Sequence, residues 1–406
     1  MRRLWRSPTL RSVAVLGLSG VGFAVANLML ARALTTAEYG LLTLVIALVN
    51  LGYPLAPAGV DGVVNRLRLE AGPRLLGRTL WAIVPAALLF GAIGLLGYET
   101  SPFVTLMILV STMAGGALVV AAGQFQSEQR FGISLALNQS PNVILLLSAL
   151  WVALAGTHGA EPPLLVWTAG FVVTAAAGWS VLFRERHAKP HRSVAFPWSE
   201  AFAIAGMSAA GLLLIQLERL LIPHLLPLHD LATYGVLAAI VGSLFRVLQM
   251  GVAYSLLPRL RAAPGVLERR RLIAREAGLV IPIVALGSAA IWIATPYLER
   301  WFLGGKYHLP AALVAAALVT GLAKILSGFA QSTVSALADA RELSVVSMLG
   351  WVAVAIAAIA AIAGSRWGLP GVIYGVGIGW LVRSSTALYM TARHLRLPTT
   401  APAVTS

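Results

Sequence analysis

LLLIQLERLLIPHLLPLHDLATYGVLAAIVGSLFRVLQMGVAYSLLPRL, residues 212–260, holds two apolar helical runs joined by a short polar turn at 227–233. Each run is long enough to cross a bilayer, which takes about 20 apolar residues. The first carries adjacent charges, Glu218 and Arg219, and the second carries Arg246 near its centre. A charge at that depth costs between about 2.5 and 17 kcal/mol, so such residues usually face a bundle interior or a water-filled path and are read as functional by default. A long side chain can instead bend back to the nearer interface. Arg219 lies only about two turns from its helix end at a rise of about 1.5 Å per residue, and both readings stay open there. Arg246 sits halfway along its run, where bending back explains less.

Composition extends that reading to the whole chain. Of 406 residues 58% are hydrophobic and 11% charged, against about 25% charged in a soluble domain. This is the composition of an all-α polytopic membrane protein. The formal net charge of +15 would suggest nucleic acid in a soluble protein. Here the arginines cluster between spans, with no basic face interleaved with aromatics, so membrane orientation accounts for them and nucleic acid is not an expected partner. Cysteine is absent, which excludes disulfides, thiolate metal sites and a cysteine nucleophile.

From the start, a basic tail with Arg2, Arg3, Arg6 and Arg11 precedes an apolar run over 12–34. Ala31-Arg32-Ala33 mimics a signal-peptidase site, but the run exceeds a signal core and another span follows at once, so it is read as an uncleaved first helix. Further spans are predicted at 39–59, 79–98, 103–123, 131–156 and 163–183. A second group follows at 201–226, 234–257, 273–298, 310–338, 343–364 and 370–392, about twelve in all. One side of the membrane then collects Arg66, Arg68, Arg74, Arg78, Arg184, Arg186, Lys189, Arg192, Arg259, Arg261, Arg269, Arg270, Arg271, Arg275, Arg393 and Arg396. The other keeps Arg300, Lys306 and Arg366, with Glu99, Glu161, Asp230 and Glu299. The positive-inside rule puts both termini in the cytoplasm of a cell whose inner membrane the chain crosses. Trp81, Trp167, Trp179, Trp301 and Trp367 fall near span ends, as an interfacial belt requires.

The chain also reads as doubled. Glu38-Tyr39-Gly40-Leu41-Leu42 opens the second span and Thr233-Tyr234-Gly235-Val236-Leu237 the eighth, a register that also pairs the third span with the ninth. Each half has about six spans, so the repeats are parallel, a known transporter plan with the binding site between halves. The expected domains are an N-terminal six-helix bundle over 1–183, a basic cytoplasmic linker over 184–199, a C-terminal six-helix bundle over 200–396 and a tail over 397–406.

Four stretches carry a resemblance: 32–66 (RALTTAEYGLLTLVIALVNLGYPLAPAGVDGVVNR), 212–260, 298–310 (LERWFLGGKYHLP) and 336–343 (ALADAREL). They resemble the polysaccharide-export and O-antigen flippase branch of the multidrug/oligosaccharidyl-lipid/polysaccharide exporter superfamily. The likeness covers most of the chain in span order, through loose hydrophobic patterns. Members of that group often show Asp-Arg where this chain has Glu218-Arg219, and at 406 residues the chain is short for it. The resemblance implies two bundles around a V-shaped central cavity and a flippase moving an isoprenoid-diphosphate-linked glycan, an O-antigen or lipopolysaccharide precursor, between membrane leaflets. Membrane lipid, and a glycan polymerase or glycosyltransferase, are the partners it implies.

The polar positions fit that substrate class. Gly242, Ser243, Arg246, Gln249 and Ala253 fall at helical spacing on the eighth span, as do Thr320, Lys324, Ser327 and Gln331 on the tenth. Gly375, Gly379, Arg383 and Thr386 form a third stripe, and the second span presents Thr43, Ala47, Asn50, Pro54, Pro57 and Asp61. Arg219, Arg246, Lys324 and Arg383 thus face Glu218 alone within the C-terminal spans, and a lipid diphosphate is an anion that such an excess would accept, arginine through its bidentate fork. The candidate substrate-binding residues are Arg246, Lys324, Arg219, Arg383, Glu218, Gln249 and Asn50, with Asp61 and Glu218 candidates for coupling. Plainer readings stand beside these. Gly375 and Gly379 suit helix packing, Arg383 can bend back to the interface, Glu218 can simply neutralise Arg219, and Asp61 can cap a loop. The seven histidines show no metal-ligand spacing, and neither a catalytic carboxylate pair nor a Ser/His/Asp set is visible, so neither a metal, a cofactor nor an enzyme is expected. A drug/cation antiporter, which should offer acidic groups, and a membrane scaffold for glycan assembly remain the alternatives.

Overall fold

The computed structural model describes residues 8–67, 69, 72–185 and 196–396. Most of the predicted linker, with Arg186, Lys189 and Arg192, lies outside them, as do Arg68 and the tail. Fourteen α-helices run in order among the described residues: α1 Pro8–Ala33, α2 Thr36–Leu55, α3 Val60–Leu67, α4 Pro73–Ala92, α5 Pro102–Ser127, α6 Phe131–Ala155 and α7 Glu161–Glu185. Then come α8 Trp198–Leu225, α9 Leu228–Ile240, α10 Gly242–Ala262, α11 Val266–Tyr297, α12 Ala311–Leu337, α13 Ala340–Gly364 and α14 Gly368–Arg396. Among the described residues nine stretches are long and apolar enough to cross a membrane, one of them, Arg341–Leu395, running through α13 and α14.

Local chemistry sets the helix ends. Thr35 accepts from the Glu38 amide at 3.3 Å, and Ser101 accepts from the Val104 amide at 3.3 Å just before Pro102 at the first helical position. Asp339 and Glu342 form a reciprocal capping box at the start of α13. The join between the fourth and fifth spans is a tight turn. Gln129 is left-handed there (φ 62°), the Arg130 amide donates to the Phe125 carbonyl at 2.8 Å, and the Arg130 side chain pairs with Glu185.

Three sequence expectations need correction. The second span ends at Leu55, one residue past Pro54. A turn with Ala58 at φ 49° and Gly59 at φ 83° follows, then the short α3. A Cβ on Gly59 would lie 1.9 Å from the Ala201 carbonyl oxygen, so α8 begins directly against this turn. The eighth span is divided after Ile240, which makes Arg246 the fifth residue of α10. Trp167 and Trp179 do not join an interfacial belt. Both are buried, and each ring N–H donates at 3.0 Å to a carbonyl of a neighbouring helix, Pro141 and Ala117 respectively. An indole satisfied by protein gains nothing from the headgroup region.

The helices pack as two compact units, Leu18–Ala239 and Ile240 onward with the start of α1 up to Gly17. In the first, α5 packs against α2, α3, α4, α6 and α7, while α8 lies along α2 and α3. Ser19 of α1 donates to Gln139 of α6 at 2.7 Å and accepts from Asn142 at 2.9 Å, the polar fastening expected where helices meet in lipid. Gly40 seats against Leu228 and Gly235 against Thr43 and Tyr39, so the two glycines matched by the internal register both mark close helix contacts. In the second unit α12 packs between α10 and α14, and α13 covers the other side of α14. Both α4 and α11 finish in a π turn, Ile93–Gly97 and Leu298–Phe302.

Candidate functional site

The sequence candidates divide between the two units. In the first, Glu218 is buried on α8 and Arg219 beside it is half-buried, donating to Gln216 at 3.3 Å within its own helix. Arg219 also lies within electrostatic reach of Tyr39 on α2, a fully buried side chain that sequence reasoning passed over. Asn50 is half-buried on the same α2.

Asp61 lies in the first turn of α3, beyond the span Thr36–Leu55, with its backbone and Cβ close beside Gly123 of α5. Burial pushes its carboxyl above the ordinary carboxylate range, outweighing the backbone hydrogen bonds that oppose the shift. A carboxyl raised in the folded state supports folding in acid and loses that support as pH rises through its native value. Asp61→Asn is therefore expected to melt at a higher temperature than wild type at pH 7, by a margin that shrinks as pH falls toward the ordinary carboxylate range. An Asn variant no more stable at pH 7 would contradict this.

In the second unit, three helices bring the remaining candidates together. Lys324 of α12 and Arg383 of α14 each hold their cationic group 5.9 Å from the ring centroid of the same side chain, Trp380. That ring is 2% exposed, and its position is what joins the two cations. Gln249 of α10 packs against Gly328, one turn from Lys324 on α12. Arg246 belongs to the same α10, but its side chain lies outside the described residues. Gly375 and Gly379 take the packing role, facing the α13 backbone and Ala357, while Gly377 faces Thr320 of α12. The third stripe thus splits between two helix contacts.

The helices α10, α12 and α14 contain no aspartate or glutamate along their whole length. Acids reach these helices from their neighbours: Glu276 of α11, inside the predicted ninth span, pairs with Arg259 of α10, and Glu342 of α13 with His394 of α14, so Glu218 is not the sole acid of the C-terminal spans. Most hydroxyls there close on backbone: Thr320 donates to the Ile373 carbonyl at 3.1 Å, and Ser384 to the Trp380 carbonyl at 2.6 Å. Ser327 Oγ, Gln331 Nε2, Trp380 Nε1, Arg383 Nε and, further along α14, Thr391 Oγ1 are buried with no hydrogen-bond partner among the described residues. Trp380 is not among the sequence candidates because it lies inside a span and not at a span end; its signal is an indole one turn before Arg383. Among the described residues no three His, Asp or Glu side chains converge as metal ligands would.

No protein-family model matches the chain, and no curated protein does. Its fold is nevertheless that of known transporters. The inward-facing conformation of a multidrug resistance MATE family transporter of the MOP superfamily superposes with a TM-score of 0.63 at 13% identity, covering 94% of each chain. Lipid II flippase MurJ, in an inward closed conformation, gives 0.60 at 9% identity, covering 94% of this chain and 87% of that one. The bent form of the Vibrio cholerae MATE transporter VcmN gives 0.53 at 15% identity, covering 95% and 98%. The chain is an all-α membrane protein with the two helical bundles of these folds.

Proposed function

We propose that this chain is a flippase that carries an isoprenoid-diphosphate-linked glycan across the cytoplasmic membrane, as its resemblance to the polysaccharide-export and O-antigen branch implies. One observation carries the choice of substrate: three packed helices hold Lys324 and Arg383 with no carboxylate on any of them. A cationic interior accepts an anion and repels a cation. The fold it shares with a lipid II flippase supports the reading. The fold is equally shared with multidrug transporters, so a drug/cation antiporter is the second reading. The proposed division of the sequence is two six-span halves, 1–183 and 200–396, joined by the basic segment 184–199, working by alternating access. Arg246, Lys324, Arg219, Arg383, Gln249 and Asn50 are the proposed substrate contacts. Asp61 and Glu218 are the proposed coupling groups.

The test is reconstitution. Liposomes containing the protein should move a fluorescent prenyl-diphosphate oligosaccharide between leaflets faster than protein-free liposomes. Transport of a cationic dye without movement of the lipid would favour the antiporter instead.

Orientation has its own check. Reporter fusions after Leu76, Pro190 and Arg270 are expected to read cytoplasmic, and fusions at Glu161 and Gly305 external. A cytoplasmic signal at Gly305 would overturn the orientation of the C-terminal spans.

A further inference from the structure

We infer that the cluster of aromatic rings and arginines where α4 and α8 begin is a docking surface for anionic phospholipid of the surrounding bilayer. It lies wholly in the first unit, uses none of the proposed substrate contacts, and holds for either transport reading. The proposed orientation enters only in naming the leaflet it meets, the cytoplasmic one.

Trp198, the first residue of α8, is the hub of the cluster. Its ring meets Trp81 of α4 at 4.9 Å between centroids, Phe196 edge-on at 4.7 Å and Phe202 stacked at 5.9 Å. The Arg78 guanidinium of α4 lies 5.2 Å from the Phe196 centroid. Rings gathered in this way inside a soluble protein would be buried, yet Trp81 is 64% exposed and Phe202 51%. Among the described residues no hydrogen bond closes the indole N–H of Trp81 or Trp198, whereas Trp167 and Trp179 both donate to carbonyls. Indoles left open suit a membrane interface, where the ring lies against hydrocarbon and the N–H among headgroups.

One face of α4 is graded along its length. Arg74 and Arg78 stand on its first turns, Trp81 comes next, and Val84 and Leu88 continue the same side, both exposed. That is the order of a bilayer leaflet from headgroup to tail. The one acid beside them, Glu200, is taken by Arg66 at 2.7 Å, so among the described residues Arg74 and Arg78 keep their charge without a carboxylate. Charge then selects the occupant. The aliphatic end lies at hydrocarbon depth, out of reach of a soluble protein, and the cationic end calls for an anion. An anionic phospholipid supplies both in one molecule, and cations next to a span bind the negatively charged cytoplasmic leaflet in this manner. A second copy of this chain suits the face less well, because a twofold contact would bring the same arginines against one another. A lipid held here lies against α4 and, through Trp198, against α8, so its binding is expected to raise the unfolding temperature.

The full-length protein is placed in nanodiscs of phosphatidylcholine alone, and of phosphatidylcholine mixed with phosphatidylglycerol, and thermal unfolding is followed in both. Native mass spectrometry from mixed micelles then measures which lipid stays bound. Wild type is expected to melt higher in the mixed discs and to retain phosphatidylglycerol over phosphatidylcholine. Arg78→Gln and Arg74→Gln should each reduce the retained phosphatidylglycerol about fivefold, the weight of one arginine near an anionic surface. Arg74 is exposed and has no partner among the described residues, so Arg74→Gln should unfold like wild type in phosphatidylcholine discs and serves if Arg78→Gln folds poorly. No lipid preference in the wild type, or one unchanged in both variants, overturns the surface. So does stabilisation reproduced by free glycerol phosphate in phosphatidylcholine discs, which needs no lipid. A monomer–dimer shift that tracks the variants would put a second chain on this face and overturn it as well. Both leaflets of a nanodisc have the same composition, so none of these outcomes depends on orientation or on the transported substrate. A failed translocation assay leaves this surface standing, and a failed lipid preference leaves the flippase.

Discussion

Gly375→Ala is expected to lose most of its folded yield and to lower the melting temperature of what survives. A Cβ at this position would lie 2.4 Å from the Ala361 amide nitrogen and 2.5 Å from the Ala360 carbonyl carbon. Both atoms are backbone of α13, so no rotamer can move aside and the two helices must separate. Separation would propagate to Gly379, where a Cβ meets Ala357 at 2.4 Å, and to the Gly364–Gly371 crossing at the far end of the pair. Overpacking costs about 1–3 kcal/mol where side chains give way, and backbone gives way less. In lipid, moreover, close backbone approach is itself a main source of helix association. Gly278→Ala is the control: it lies inside α11 with nothing within 4 Å of an added Cβ, and alanine favours the helix. Size-exclusion yield and unfolding in detergent measure both. A Gly375→Ala protein as stable as the Gly278→Ala protein would refute the packing role.

Arg246→Ala is expected to abolish translocation while the protein accumulates normally. The residue stands in the second turn of α10, a helix that carries no acid of its own and packs against the equally acid-free α12 and against α11, whose Glu276 pairs with Arg259. Arg246→Lys should recover part of the activity, because the charge survives and the bidentate fork does not. Export and folded yield belong in the same cells: a well-expressed Arg246→Ala protein that translocates normally would remove it from the substrate path, and a poorly expressed one would assign it to structure.

The spans were legible because apolar length is a one-dimensional property. Helix ends fell close to the predicted ones wherever a cap residue such as Ser101 or Asp339 stood at the boundary. The division after Ile240 has a local signal in Gly242-Ser243, a pair that weakens a helix, but no proline or charge marks it and the flanking residues are apolar, so length alone reads one span. Of the site, the cations could be picked out one by one, because a charge in an apolar run is conspicuous. Their grouping could not, since it depends on which face of α14 meets α12, and the side chain joining them is an indole that raises no alarm in a hydrophobic helix. Gly375 and Gly379 illustrate the converse. Their fourfold spacing favoured a packing seam over a ligand stripe, and the α13 backbone beside both shows the seam.

The π turns closing α4 and α11 bear on ancestry. Each is a widened turn accommodating one residue more than an α-helix would, and they stand at the ends of the third and ninth spans, which the internal register pairs. The register that pairs Tyr39 with Tyr234 carries Ile93–Gly97 to 288–292, ten residues short of the second π turn, so the two turns do not mark one inherited position.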